Sequence, residues 1–454
     1  LSSSATTEAT GQDPIWSVSE HLDDILGTVR PLEPIELQLL DAQGCVLVED
    51  VTVPVSLPPF DNSSMDGYAV RVADIAGASE EFPAVLTVIG DVAAGQGEQP
   101  TVRAGQAARI MTGAPLPPGA EAVVPVEWTD GGLGGGPVSG MRAHSAAPDG
   151  ASGEVRVHRP AEARAHVRAR GSDVQAGDRA LAAGTVLGAP QIALLAAIGR
   201  GTVTVRPRPR VVVMSTGSEL IQPGEELAKG QIYDSNSFAL TAAARDAGAI
   251  AYRVGAVADD VETLRSTIED QLIRADLIVT TGGVSVGAYD VVKEALSSVG
   301  YGGDGDGEGD GEVDSTGSGI EFRKLAMQPG KPQGFGTIGP DHTPLLALPG
   351  NPVSSYVSFE IFVRPAVRAL MGLPDVHRAT ASAVLDADKA LTSPAGKRQF
   401  LRGRYDADAG RVRPVGGSGS HLVAALAHAN ALIVVPEDTT SVEPEADITV
   451  VLLG

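Results

Sequence analysis

Three short segments have residue types and spacing suited to chemistry on an anion. They are STGSEL (215–220), TTGGVSVGAYD (280–290) and LPGNPVSS (348–355), and each ends an apolar, strand-like run in glycine: Gly217, then Gly282 and Gly283, then Gly350. Where strands of a parallel sheet end and helices begin, loop amides and the positive end of the helix dipole converge on negative charge. Glycine lets the backbone approach the ligand closely. One such junction signifies only a tight turn, but three in one predicted sheet point to a phosphate or oxyanion pocket. Acids crowd the same loops: Glu219 after the first strand, Asp259 and Asp260 at a helix start, and Asp290 after the glycine loop. Capping accounts equally well for Asp260. A carboxylate about 4 Å from a bound anion is opposed by about 4 kcal/mol per pair of unit charges at an effective dielectric of about 20. Acids and an oxyanion pocket therefore coexist only with a cation between them, most simply Mg²⁺ on oxygen ligands. Lys324 and Lys331, in RKLAMQPGKP, are the candidates for fixed positive charge.

Other motifs narrow the field. No GxxxxGK[ST] occurs, and the one formal GxGxxG, GYGGDG at 300–305, follows a helical pattern instead of a strand, which disfavours ordinary ATPase and dinucleotide enzymes. The eight His show no HxH or HExxH spacing that would suggest zinc. GVSVG (283–287) fits a nucleophile elbow, with Ser285 as the nucleophile and His342 or His377 downstream; an anion loop explains the same residues and the other two junctions as well. The acidic run at 302–319 imitates the start of a calcium loop, but Ser315 stands where the bidentate Glu belongs, so a solvated, disordered insertion is expected. Towards the N-terminus, PPFDNSSMDGYAV (58–70) and RIMTGAPLPPGAEAVVPVE (109–127) are polar turns beside strand-like runs.

The elements that must position these residues follow from periodicity. Residues 207–375 alternate apolar strand runs with helical patterns, which predicts a doubly wound, mostly parallel α/β domain. Residues 14–206 read as a mixed α+β region, opened by a helix at 17–29 whose stripe is Val18, Leu22 and Leu26 with Ile25 beside them. Residues 376–454 read as a small antiparallel β domain, a barrel or a sandwich. Residues 1–13 have the composition of a disordered leader. The charge-free stretch from Ala180 to Gly199 approaches the length of a membrane span, but Gly184, Gly188 and Pro190 break it and leave a short core helix. The 34 Lys and Arg against 57 Asp and Glu give a net charge of −23, which disfavours nucleic acid and anionic membranes as partners. A single Cys45 suits a reducing compartment, and the cytoplasm is the expected location.

Taken in order, PFDNSSMDGYAVR, RIMTGAPLPPGAEAVVPVE, RARGSDVQAGDRAL, STGSEL, GQIYDSNS, TTGGVSVGAYD, MQPGKPQGFG, LPGNPVSS and ANALIVVPE closely resemble the molybdopterin molybdenumtransferase (molybdenum insertase) family of molybdenum-cofactor biosynthesis. The likeness runs from about residue 14 to residue 454. It implies an elongated homodimer in which the α/β domain of one subunit faces an N-terminal subdomain of the other. It also implies the reaction, in which adenylylated molybdopterin and molybdate give molybdenum cofactor and AMP with Mg²⁺ assisting. Carried over by position, the catalytic residues would be Asp66, Thr112, Asp173, Glu219, Asp259, Asp290, Lys324 and Lys331. The substrate contacts would be Gly217, Gly282, Gly283, Val284, Ser285, Pro349, Gly350, Asn351 and Pro352, and the metal ligands Glu219, Asp259 and Asp290. Two positions depart from the pattern, since Ser218 stands where relatives often carry Asp and Gln328 where many carry Lys. The alternatives are a molybdopterin adenylyltransferase and a non-catalytic molybdopterin-binding scaffold.

Overall fold

The computed structural model describes residues 15–95, 99–141, 153–258, 260–283, 295 and 319–454. The chain divides into two compact units, one formed by Leu37–Gln43 with Glu49–Val203 and the other by the residues up to Glu36, Gly44–Val48 and Thr204–Gly454.

In the first unit a five-stranded sheet runs in the order Glu154–Val157, Ala84–Val92, Gln106–Ile110, Gly67–Val70, Ala122–Pro125. Side chains alternate between its faces, so Tyr68 and Val70 enter one core while Ala69, Ala108 and Val123 enter a second. A Cβ on Gly67 would stand 2.0 Å from the Val124 carbonyl oxygen, which requires glycine immediately after Asp66. The expected short core helix occupies Ala189–Ala197, with Pro190 in its first turn.

The second unit begins with α1 (Val18–Thr28), opened by a capping box in which Ser17 and Glu20 satisfy each other's backbone amides. Its buried residues are Val18, His21 and Ile25, whereas Leu22 and Leu26 are only partly covered. The expected stripe is therefore rotated, because His21 takes a core position that its polarity conceals. The imidazole packs edge-on against Phe362, with centroids 4.8 Å apart, and burial together with the nearby Arg323 charge lowers its pKa to about 4.

Beyond α1 come β1 (Arg210–Thr216), α2 (Asn236–Asp246), β2 (Ile250–Val257), α3 (Val261–Leu272), β3 (Leu277–Thr281), β4 (Ile320–Leu325), β5 (Pro332–Ile338) and β6 (Thr343–Leu348). The sheet order is β4-β5-β6-β3-β1-β2, with Ile15–Trp16 added in parallel outside β4. Strands β6, β3, β1 and β2 are mutually parallel. Val211, Val213, Leu277 and Val279 face one core, with α2 and the helix that follows β6; Val212, Met214 and Ile278 face the other, with Leu264 and Ile268 of α3. Helices thus cover both faces, as the alternation of elements predicts. Asp260 is the N-cap of α3 and accepts the Thr263 amide at 2.9 Å, so capping is its observed role.

Strands β4 and β5 pair antiparallel with one another and β5 with β6, an extension that periodicity does not reveal. Gly334 and Gly336 interrupt the apolar pattern there, and a Cβ on Gly336 would lie 2.0 Å from the Gly319 carbonyl oxygen.

The helix that opens at Pro352 is continuous but not uniform. It runs as α4 (Pro352–Ser358), a π-helical stretch Phe359–Val363 and α5 (Arg364–Leu370). Pro365 lacks an amide and would clash with the carbonyl four residues earlier, and the wider turn before it relieves both conflicts. Phe359 and Phe362 are fully buried, which contributes about 2–3 kcal/mol each. Strands β7 (Thr380–Leu385), β8 (Arg398–Asp406), β9 (Arg411–Pro414), β10 (Ala431–Val435) and β11 (Asp447–Leu452) close into a small five-stranded barrel, because β8 pairs with both β9 and β10. Its centre is filled by Leu385, Val412, Ile433 and Val450. No helix among the described residues is long and apolar enough to cross a membrane.

Candidate active site

The C-terminal ends of β1, β3 and β6 lie side by side and open into a cavity of about 590 Å³. Its walls include Thr216 and Glu219 after β1, Thr281, Gly282 and Gly283 after β3, and Pro349, Gly350, Asn351 and Pro352 after β6. The glycines are demanded by closeness: a Cβ on Gly282, whose φ is +98°, would lie 2.4 Å from the Thr216 carbonyl oxygen, and one on Gly350 would lie 3.3 Å from the Gly282 Cα. Gly217 is less constrained, since its Cβ would meet only the movable Glu219 carboxylate, at 2.7 Å. Two helix starts, Ser235 and Asn236 of α2 and Pro352 of α4, bring dipole-positive ends to the same space. His421, from the segment before β10, completes the wall.

A buried polar network fixes this arrangement. The Asp234 carboxylate, 1% exposed, accepts the Ser215 hydroxyl at 2.7 Å and the Ser237 amide at 3.1 Å, and it also accepts the Ser237 hydroxyl. Arg253 lies 3.8 Å away, with its guanidinium 4.1 Å over the Phe238 ring. Asn236 donates to the Gly350 carbonyl at 2.7 Å and to the Thr281 hydroxyl at 3.1 Å, joining the ends of β3 and β6 to the start of α2. Thr281 in turn donates to the Pro349 carbonyl at 3.0 Å and lies 2.9 Å from the Ser355 hydroxyl. The Thr216 hydroxyl is buried on the same wall without a hydrogen-bond partner among the described residues. Such a site offers an anion backbone amides, helix ends and a hydroxyl, beside two carboxylates, Glu219 and the hydrogen-bonded Asp234.

Comparison with known proteins agrees along the chain. Residues 16–199 match the MoeA N-terminal region (domain I and II), residues 212–369 the probable molybdopterin binding domain, and residues 385–453 the MoeA C-terminal region (domain IV). Molybdopterin molybdenumtransferase 2 of Mycobacterium tuberculosis is 46% identical over 427 residues, covering 94% of this chain and 96% of that protein. The chain belongs to the molybdopterin molybdenumtransferase family. The molybdopterin molybdenumtransferase of Bacillus subtilis is 32% identical over 91% of this chain and 89% of its own. The crystal structure of a molybdopterin biosynthesis MoeA protein from Pyrococcus horikoshii is similar with a TM-score of 0.70 and 29% identity, over 97% of this chain and 100% of that one.

The residues carried over from the family pattern fall into three groups. Gly217, Glu219, Gly282, Gly283, Pro349, Gly350, Asn351 and Pro352 gather around the cavity. Lys331 is exposed between two wall residues, Gly330 and Pro332, and the exposed Lys324 pairs across the β4–β5 ladder with Pro332. In the other unit, Asp66 accepts the Thr112 amide at 2.7 Å and the Thr112 hydroxyl at 2.9 Å, so two segments 46 residues apart form one exposed polar feature. Asp173 is exposed within that unit, its amide donating to the Leu57 carbonyl. Asp259, Val284, Ser285 and Asp290 lie outside the described residues, as do the expected leader and the acidic run except Gly319. Residue-type reasoning missed Asp234, Asn236 and His421. The first two stand in GQIYDSNS, where polar residues after a strand signify only a turn, and His421 carries no local signal.

Proposed function

We propose that this protein transfers molybdenum from molybdate to adenylylated molybdopterin, releasing AMP and giving molybdenum cofactor. The observation that carries this reading is the cavity at three adjacent strand ends, in the span that matches the molybdopterin-binding family model. Its helix starts, the Thr216 hydroxyl and the nearby Lys331 suit a phosphorylated pterin, and its length along the β1–β3–β6 edge leaves room for an oxyanion beside it. In this reading the strand-end amides hold the phosphates, Lys331 and Lys324 oppose the charge of the incoming molybdate, and Asn236 keeps the Gly350 loop in place. A water molecule attacks the pterin-side phosphorus and the anhydride P–O bond breaks with AMP as the leaving group, while molybdate exchanges two of its oxygens, lost as water with thiol and solvent protons, for the two dithiolene sulfurs. Asp66 and Thr112 serve as a second polar element of the reaction, and Asp173 belongs with them.

Mg²⁺ fits this donor set. Glu219 presents hard carboxylate oxygens on the wall, and no described basic side chain lies within ion-pair distance of it. Among the described residues no three acids or histidines form a metal cluster; Asp259 and Asp290, the other ligands that the family resemblance implies, lie outside the described residues. When bound, the ion would offset pyrophosphate charge that Glu219 otherwise opposes. We further propose that the protein works in the cytoplasm as a homodimer, with the buried thiol of Cys45 kept reduced.

Incubation with adenylylated molybdopterin, with and without molybdate and Mg²⁺, tests the function. AMP release that requires both is the expected result. A requirement for ATP with release of pyrophosphate would instead make the protein an adenylyltransferase, and binding without any release would make it a scaffold.

A further inference from the structure

A second cavity, of about 470 Å³, lies between α5 and the barrel, lined by Arg364, Arg368, His377, Arg378, Tyr405 and Asn430 among others. Arg364 follows Pro352 by twelve residues, so at about 1.5 Å per residue it lies about 18 Å along the helix from the candidate active site. Nothing in the proposed reaction uses these residues. Three arginines and a histidine bring basic groups to one cavity, where Asp246 and Glu360 offset Arg364 and Arg378.

The arginines are unequally satisfied. Arg378 is held by two carboxylates, its Nε donating to Glu360 at 2.9 Å and an Nη to Asp246 at 2.8 Å. Arg364, 9% exposed, spends one Nη on Asp246 at 3.1 Å, and its Nε is buried with no partner. Arg368 donates its Nε to the Asp375 carbonyl at 2.7 Å, and among the described residues no carboxylate lies within ion-pair distance of it. Burial and the neighbouring Arg364 charge hold the Arg368 pKa below its ordinary value, so an anion at this point would relieve an existing repulsion. Opposite, Asn430 is spent in a two-way clamp with the Tyr405 backbone, which holds that wall rigid.

We propose that this cavity is a binding site for a tetrahedral oxyanion, either inorganic phosphate or the phosphate group of a small phosphorylated metabolite, gripped by Arg368 and Arg364. A planar carboxylate satisfies one guanidinium fork, whereas a tetrahedral dianion accepts from several donors at once, which matches two arginines one helical turn apart on α5. Its volume exceeds that of a bare phosphate and leaves room for a small attached group.

Isothermal titration of the full chain with inorganic phosphate and with ribose 5-phosphate, in chloride buffer of matched ionic strength, tests this. The wild type is expected to bind, and Arg368→Gln to bind about ten-fold more weakly with an unchanged circular dichroism spectrum. Tighter binding of the sugar phosphate identifies a metabolite as the source, and equal binding identifies the free ion. Should Arg368→Gln fail to fold, Arg368→Lys keeps the charge and loses the fork, with an expected weakening of about three-fold or more. Absence of binding to the wild type, or a folded Arg368 variant with wild-type affinity, overturns the proposal.

Discussion

Replacing Asn236 by alanine tests whether the wall of the main cavity is held from across the fold. The side chain makes two hydrogen bonds, to the Gly350 carbonyl at 2.7 Å and to the Thr281 hydroxyl at 3.1 Å. Each contributes about 1 kcal/mol net. The Thr281 hydroxyl keeps its contacts with Pro349 and Ser355, so most of its share survives, whereas Gly350 loses the side-chain donor that ties its loop to α2. The loss is therefore about 1–2 kcal/mol, felt where the substrate phosphates are proposed to lie, and corresponds to a fall of about 5–30-fold in kcat/KM for adenylylated molybdopterin. Molybdate-dependent AMP release measures it, with urea unfolding as the control for global damage. Asn236→Asp should be worse than Asn236→Ala, because it sets a carboxylate against a carbonyl oxygen and adds negative charge beside an anionic substrate. A folded Asn236→Ala enzyme within three-fold of wild type, or an Asp variant as active as the Ala variant, refutes the reasoning.

Gly282→Ala places a methyl group 2.4 Å from the Thr216 carbonyl oxygen at a φ of +98°, and is expected to abolish detectable binding of the nucleotide-pterin in a titration; wild-type affinity would show that the strand ends are not packed as described. His21 makes stability depend on pH. The native imidazole stays neutral down to about pH 4 while the unfolded one protonates near 6.5, so between these values the unfolded state binds more protons and stability falls as pH drops, by about 3 kcal/mol over the whole window. His21→Phe should lack this component, and a difference between wild-type and variant urea unfolding free energies that is identical at about pH 7.5 and about pH 4 would disprove it. Raising ionic strength from about 10 mM to about 150 mM should speed association of the anionic substrate, by screening repulsion from the net charge of −23; stopped-flow traces that slow with salt would contradict this.

How much of this was legible depended on whether a signal was local. Strands β1, β3 and β6 are continuous apolar runs that stop at glycine, so both their type and the convergence of their ends were readable from the sequence. The β domain was equally plain, although its closure into a barrel depends on β8 pairing with two partners, which no run of residues encodes. Strands β4 and β5 escaped notice because their glycines are required by neighbours in space. Asn236 shows the same limit at the site, since its acceptor Gly350 lies 114 residues away. His21 was passed over for a different reason: a polarity scale takes imidazole as solvent-facing, while α1 seats it between phenylalanines and keeps it neutral.

The same distinction between local and global resolves how so acidic a chain can serve anionic reactants. At physiological salt a charge is felt over about 8–10 Å, a small part of a chain this size. On the lining of the main cavity the carboxylates are Glu219 and Asp234, and the oxygens of Asp234 are already occupied by Ser215 and Ser237 beside Arg253. Against them stand two helix starts and Lys331, with the Thr216 hydroxyl as a further donor. Net charge thus governs encounter and solubility, while the sign of the site is set by a few residues at three strand ends. The fold can accept acids almost anywhere else on its surface without altering the chemistry, which is why the composition misleads about the ligand and the strand-end glycines do not.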